Sequence, residues 1–300
     1  MQSAQTMKKL LGVAEKISGS YEGGFGVNYT RRDNLPRRSE VISMTEHLLE
    51  LLFPGFDQRF RGHVDTEELV ELCFDELSGQ ICRIMHRNTG SDECGCEGTP
   101  RCEEAAFALL DRIPEIRRML EEDVKAAYAG DPAAKSGDEV ILSYPGLKAI
   151  AVQRLAHVLY VREIPLLPRM MTEYAHSVTG IDIHPGACIG KGFFIDHGTG
   201  VVIGETAVLG ENVRIYQGVT LGAVSFPKDA CGALIKGQKR HPTIGNNVII
   251  YSGASVLGNI TIGDNSVIGG NVWLTESLPE NTKITAALPE NRKKFQGERK

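Results

Sequence analysis

The sequence predicts an α + β chain, an all-α N-terminal half followed by a parallel β-helix, and three observations carry that prediction. From Ile183 to Leu274 an aliphatic residue returns every six positions. The beat keeps one count through Ile183, Ile189, Ile195 and Val201. A second, two residues out of step, runs through Ile203, Leu209, Ile215 and Leu221, and a third through Ile244, Ile250, Val256, Ile262, Ile268 and Leu274. Neither an α-helix, with a period of about 3.6, nor an ordinary strand, with a period of about 2, has this spacing. Glycines fall beside these aliphatics, at Gly190, Gly204, Gly210, Gly222, Gly245, Gly263 and Gly269, where corners turning through positive φ would need them. Before Gly180, by contrast, apolar residues recur at helical spacing and no segment reads as a strand.

A six-residue beat is the signature of a left-handed β-helix of hexapeptide repeats. Three hexads make one triangular coil whose aliphatics point inward, and a single coil cannot bury its own face, so roughly five must stack. The domains follow as a loose arm over 1–40 holding a short helix at 7–17, a helical domain over 41–180, the β-helix over 181–276 and a tail over 277–300.

In the helical half, Val41 to Phe53 carries a stripe of Ile42, Leu48, Leu49 and Leu52 and stops at Pro54-Gly55. The next helix starts at Asp65 or Thr66, with Glu67 and Glu68 in its first turn, and runs to Ile84. Asn88 to Pro100 is a loop, and a helix from Arg101 to Tyr128 is jointed at Pro114. Ser136-Gly137-Asp138 reads as a break, and helices at Tyr144–Val161 and Ile164–Val178 bring the count to about six. In the β-helix, the 23 residues from Leu221 to Ile244 are not a multiple of six, so a loop over 223–241 must leave the prism. The beat ends after Leu274.

A net charge of −5 over 300 residues argues against nucleic acid as the main partner. A polyanionic small molecule could still bind a local basic patch such as Lys228, Lys236, Lys239 and Arg240. No apolar run of eighteen residues is present, so no membrane span is expected. The N-terminus has no long apolar core of an export signal, so a cytoplasmic chain is expected. Seven cysteines, an odd number, then read as free thiols. Cys94, Cys96 and Cys102, with His86 nearby, could ligate zinc, but no fourth ligand has the right spacing.

The prism offers three histidines, His184, His197 and His241, and two carboxylates close by, Asp182 and Asp196. Asp182 and His197 are fifteen residues apart, a little less than one coil, so they can be neighbours on adjacent coils and form a base held by a carboxylate. The first break in the beat, Asp196-His197-Gly198-Thr199-Gly200, is where that pair would stand clear of the prism.

These segments carry a resemblance: Asp182-Ile183-His184-Pro185-Gly186-Ala187, Ile195-Asp196-His197-Gly198-Thr199-Gly200, Val202-Ile203-Gly204-Glu205-Thr206-Ala207, Gln217-Gly218-Val219-Thr220-Leu221-Gly222, Arg240-His241-Pro242-Thr243-Ile244 and Leu257-Gly258-Asn259-Ile260. From Gly130 to Leu274 the chain resembles the serine O-acetyltransferases. The resemblance implies that His197 is the general base and Asp182 its orienting partner. Asp131 and Asp196 would hold the substrate ammonium, and Arg240 and His241 its carboxylate. Gly222 would meet the oxyanion, and Ser252, Gly253 and Gly270 would line the groove for coenzyme A. It implies acetyl-coenzyme A and L-serine as co-substrates, direct attack with no bound cofactor and no metal, and a homotrimer or a dimer of trimers with sites between neighbours. The best-known members end in an isoleucine that docks in the next enzyme of cysteine synthesis. This chain ends Gly297-Glu298-Arg299-Lys300, so that complex is not supported. The prism also hosts other chemistry. A γ-type carbonic anhydrase would need His184, His197 and His241 to converge on zinc across a subunit boundary, an acetyltransferase could use a sugar or homoserine hydroxyl, and a scaffold would need no site at all.

Overall fold

The computed structural model describes residues 4–21, 35–56, 65–85, 100–225, 229 and 231–287. The eight helices among them are α1 Ala4–Gly19, α2 Arg38–Leu52, α3 Thr66–Met85, α4 Pro100–Leu110, α5 Ile113–Gly130, α6 Gly137–Ser143, α7 Pro145–Val161 and α8 Leu167–Thr179. Two differ in kind from the sequence reading. The arm carries α1, longer than expected and with no buried residue. The break at 136–138 is instead the start of α6. The Ser136 hydroxyl accepts from the Glu139 N–H at 3.1 Å, and the Glu139 carboxylate reaches back to the Lys135 N–H at 2.7 Å. Residues typical of turns are here residues of a cap. The last helix begins three residues later than expected because Leu166 takes φ +64 before Pro168 can serve as an early helical residue.

The prism has three parallel sheets. Sheet A stacks β1 (Asp182–Ile183), β4 (Val202–Ile203), β7 (Thr220–Gly222), β10 (Ser255–Leu257) and β13 (Trp273–Leu274). Sheet B stacks β2 (Cys188–Ile189), β5 (Val208–Leu209), β8 (Thr243–Ile244) and β11 (Thr261–Ile262). Sheet C stacks β3 (Phe194–Ile195), β6 (Arg214–Ile215), β9 (Ile249–Ile250), β12 (Val267–Ile268) and β14 (Lys283–Ile284). The beat supplies the inward ladders: Ile183, Ile203, Leu221, Val256 and Leu274 share register in sheet A, and all are buried. The prism continues past Leu274, through a bridge from Ile262 to Leu278 and then β14, so the boundary at 276 falls too early. That last coil is hidden because its aliphatics, Leu278 and Ile284, fall out of the six-residue count.

The corner glycines correct a physical expectation. Gly190, Gly204, Gly210, Gly245 and Gly263 are not among the positive-φ residues. They are glycine because coils touch there: a Cβ on Gly190 would lie 2.5 Å from the Gly210 carbonyl oxygen, and one on Gly263 2.3 Å from the Glu280 nitrogen. Left-handed backbone at the corner between sheets B and C falls instead to Asn212, Asn247, Asn265 and Asn281. Their amides form a column, each donating to the next at 3.2, 3.1 and 3.4 Å.

The helical half closes the open first coil, whose edges would otherwise be exposed. Gln153 of α7 donates to the Ala187 carbonyl at 2.7 Å, and Arg154 donates to the carbonyls of Ile189 and Gly190 at 2.9 and 2.8 Å. Arg154 also pairs with Asp123 of α5 at 2.8 Å, both side chains being almost fully buried, and Asp123 accepts from the Phe193 N–H. α5 and α7 are thereby fixed against the coil that precedes His197. No helix among the described residues is long and apolar enough to cross a membrane.

Candidate active site

The slip in the beat resolves into two residues. Asp196 lies over Tyr216 and Tyr216 over Tyr251 at the corner between sheets C and A, through N–H···O bonds of 2.9 and 3.0 Å to the coil below. Thr199 likewise lies over Gln217, and Gln217 over Ser252. His197 and Gly198 have no counterpart and bulge outward at φ +58 and +87. A left-handed non-glycine residue costs roughly 1–2 kcal/mol, a cost that tends to collect at functional positions. Gly198 admits no side chain, since a Cβ would lie 2.4 Å from Ile181. The imidazole of His197 stands 71% exposed, its Nδ1 3.7 Å from an oxygen of the mostly buried Asp196 carboxylate.

Asp131 reaches the same corner from the helical half. It caps α5 and accepts the Ala133 N–H at 2.8 Å in an Asx turn. The end of α5 is held by Arg214, which donates to the Gly130 carbonyl at 3.2 Å, so tightly that a Cβ on Gly130 would lie 2.5 Å from the guanidinium. The Tyr144 hydroxyl donates to the other Asp131 oxygen at 2.5 Å. That bond, then the Ala133 N–H and the nearby His197 charge, outweigh desolvation and hold the Asp131 carboxyl below its ordinary range.

Arg240 and His241 lie elsewhere, at the corner between sheets A and B where the loop over 223–241 rejoins the prism. Arg240 pairs with Glu205 at 2.5 Å, and Glu205 also accepts the Tyr160 hydroxyl at 2.8 Å. Burial pushes the Glu205 carboxyl up, but the Tyr160 and Arg240 hydrogen bonds outweigh it and leave its pKa lowered. His241 is 7% exposed. Its Nδ1 accepts from the Thr206 N–H at 3.0 Å and faces the Thr206 hydroxyl at 2.8 Å, which assigns the ring proton to Nε2. Burial, then the charges of Arg240 and Lys239, push its pKa down to about 4, so it is a neutral N–H donor near pH 7. Gly204 makes room for this ring: a Cβ there would lie 2.1 Å from it. His184 shares the corner, its pKa lowered chiefly by burial, edge-on to Tyr160.

The sequence-predicted residues thus form two groups. Asp131, Asp196 and His197 gather at one corner, with Ser252, Gly253 and Gly270 on the same corner two and three coils below. Arg240, His241 and Gly222 gather at the other, with sheet A between them. Asp182 projects from sheet A with Arg169 3.6 Å away, and among the described residues no hydrogen bond joins it to His197. The reason is the length of the coil. Ile183 and Ile203 are register partners twenty residues apart, so fifteen residues carry the chain only three quarters of the way around, to the preceding corner. His197 therefore stands at the corner that leads into the strand under Asp182, on the same edge of sheet A, with no hydrogen bond between the two side chains among the described residues.

Two metal readings fare no better. Within one chain the three prism histidines stand apart, His184 and His241 at one corner and His197 at the other. Among the described residues the group spaced to hold a cation is Glu173, His176 and Asp182, and Arg169 already reaches both carboxylates. Cys94, Cys96 and His86 lie outside the described residues, while Cys102 is buried on α4. In the basic patch, Lys239 is tied to the Thr206 carbonyl at 2.5 Å and Arg240 to Glu205. Lys228 and residues 288–300 lie outside the described residues. Sequence reasoning missed Tyr144, Tyr160, Glu205 and Arg214 as site-shaping residues. Only Glu205, inside the quoted Val202–Ala207 segment, carried any signal.

Comparison with known proteins agrees with this architecture. Residues 241–276 match the family model described as bacterial transferase hexapeptide (six repeats). A plasmid-encoded serine acetyltransferase from Synechococcus elongatus is 58% identical over 266 residues, covering 84% of this chain and 82% of that one. The crystal structure of Entamoeba histolytica serine acetyltransferase 1 in complex with L-cysteine matches with a TM-score of 0.71 and 36% identity, covering 94% and 99% of the two chains. That of serine acetyltransferase from Brucella abortus in complex with coenzyme A matches with a TM-score of 0.57 and 30% identity over 84% and 91%. On this fold, these paired corner clusters and this extent of identity, the protein belongs to the serine acetyltransferase family and is an acyltransferase enzyme.

Proposed function

We propose that this serine O-acetyltransferase takes its acetyl group from acetyl-coenzyme A and uses His197 as the general base, in a site completed by a second copy of the chain. The observation that carries the reading is the outward bulge of His197 beside two carboxylates, Asp131 and Asp196. A serine zwitterion needs both its charges matched. The two carboxylates suit its ammonium, while Arg240 and the Nε2–H of His241 suit its carboxylate. Those two groups occupy opposite edges of sheet A, and three chains arranged head to tail about a threefold axis bring one edge of each against the other edge of the next. The same packing covers Val202 and the 72% exposed Trp273 on the outer face of sheet A.

His197 takes the hydroxyl proton as the serine oxygen attacks the thioester carbonyl, with Asp182 of the preceding coil steadying the imidazolium. The oxyanion meets the N–H of Gly222, the C–S bond breaks, and the thiolate leaves with the proton from His197. The pantetheine arm lies along Ser252, Gly253 and Gly270. The holding of coenzyme A by the Brucella abortus relative supports this donor. Free thiols at Cys73, Cys188 and Cys231, the last two exposed, suit the cytoplasm. The test is release of free thiol from acetyl-coenzyme A in the presence of serine, homoserine or a sugar. Turnover confined to serine and lost in His197→Ala supports the reading, and equal turnover with homoserine or a sugar refutes the charge-matching assignment. Stoichiometric zinc on elemental analysis, with carbon dioxide hydration in place of thiol release, would turn it to the lyase.

A further inference from the structure

We infer that Tyr144 is a positioning residue for the substrate ammonium: it fixes the Asp131 carboxylate so that Asp131 and Asp196 act as one paired anion site beside His197. The inference rests on the reading of Asp131 and Asp196 as ammonium ligands. Tyr144 is the hinge between two helices, the C-cap of α6 and the N-cap of α7, with Pro145 setting the first turn of α7. Its backbone is held from both sides. Its N–H donates to the Val140 carbonyl, and its carbonyl accepts from Leu147. One turn into α7, Gly146 lies so close to the prism that a Cβ would be 2.4 Å from the Ile195 carbonyl oxygen. That contact is with the residue just before Asp196. The tyrosine is thereby registered against the corner that carries Asp196 and His197, and its hydroxyl is presented to Asp131 from a rigid base.

Asp131 needs such a partner. It lies in an exposed turn, and its own backbone supplies one donor, the Ala133 N–H on Oδ1. That bond alone leaves the carboxylate free to swing about its χ2 torsion, which is broad for aspartate. The 2.5 Å bond from Tyr144 on Oδ2 removes the freedom and leaves one lone pair on each oxygen for an incoming ammonium. Tyr144 is also close enough for Asp196 to oppose its ionisation, with Asp131 the stronger influence. The phenol therefore stays protonated as a donor and is not a candidate base.

Tyr144→Phe removes the donor and keeps the ring. A hydrogen bond to a charged group is stronger than one between neutral groups, but solvent weakens it at this exposed position, so the KM for serine is expected to rise roughly tenfold. The kcat and the KM for acetyl-coenzyme A should stay within about twofold, because the reacting atoms are untouched. Asp131→Asn should raise the serine KM further, and the double variant should be no worse than Asp131→Asn alone. If Asp131→Asn raises the serine KM and Tyr144→Phe does not, the inference about Tyr144 is overturned while the ammonium reading stands. If Asp131→Asn leaves the serine KM unchanged, the ammonium reading fails and this inference with it. If Tyr144→Phe lowers kcat, raises both KM values and lowers Tm together, Tyr144 is a packing residue and the inference is overturned.

Discussion

Mixing two inactive variants tests whether the site is shared between chains. His197→Ala removes the base from the corner between sheets C and A and leaves the other corner intact. Arg240→Ala does the reverse, and Glu205 keeps the Tyr160 hydroxyl, so that corner retains a hydrogen-bonded carboxylate. In a threefold ring each junction joins the His197 corner of one chain to the Arg240 corner of the next. Coexpressed at equal levels and assorted at random, half of each type of corner is intact, and about one junction in four unites two intact corners. Trimers purified through different tags on the two variants contain both chains, and each has one working junction out of three. Their activity should be about a third of wild type. Thiol release at saturating acetyl-coenzyme A and a serine concentration near the wild-type KM measures this. Each variant alone should lose at least a hundredfold, as expected for loss of a general base or of a charge-assisted contact. If doubly purified trimers are no more active than the two variants separately, the two corners do not meet across a chain boundary, and the shared site is refuted.

Three further outcomes follow from the same geometry. His197→Ala should lower kcat by about 10³-fold or more, whereas Asp182→Asn, which leaves the base in place, should lose less, roughly 10–100-fold, and pre-steady-state thiol release compares them. Asp123→Ala should lower stability by about 3–5 kcal/mol, because it leaves Arg154 charged and buried, while Asp123→Met with Arg154→Met should recover much of the loss; thermal unfolding followed by circular dichroism measures both. The depressed pKa of His241 means that the unfolded chain binds a proton between pH 6.5 and about 4 where the folded chain does not. Its contribution is therefore fully present above 6.5 and lost as pH falls toward 4, by at most about 3 kcal/mol. Stability against pH over that window should fall less steeply in His241→Gln, and parallel curves for the two proteins would refute the burial of a neutral imidazole.

How much of this was legible in the sequence depends on the range of the interaction concerned. The inward ladder was legible because burial acts on every coil alike, so Ile203, Leu221, Val256 and Leu274 each repeat the same demand. The last coil was not, because its flats carry Leu278 and Ile284 out of count, and only pairing to Ile262 and Ile268 reveals them. Corner chemistry was misread for a related reason. A glycine beside an aliphatic looks the same whether it serves a positive φ, as Gly218 and Gly253 do, or a neighbouring coil pressed against it, as at Gly190 and Gly210. Only the distance to the next coil tells these apart.

The slip at His197 shows where a count of residues stops being a statement of geometry. Read as a count, fifteen residues from Asp182 to His197 suggest neighbours on adjacent coils. The slip that makes His197 conspicuous also lengthens that coil to twenty residues, so that Asp182 stacks on Val202, just past the corner that carries the imidazole. The bulge therefore does two things at once. It lifts the base clear of the prism wall, and it sets that base beside Asp131 and Asp196. A base 71% exposed on an isolated chain has the solvent access of an ordinary surface histidine and little of the preorganisation that acyl transfer demands. A neighbouring chain packed on sheet A would exclude water from this base. On that account oligomerisation is part of the catalytic apparatus, and dilution below the dissociation threshold of the assembly should extinguish turnover before it unfolds the prism.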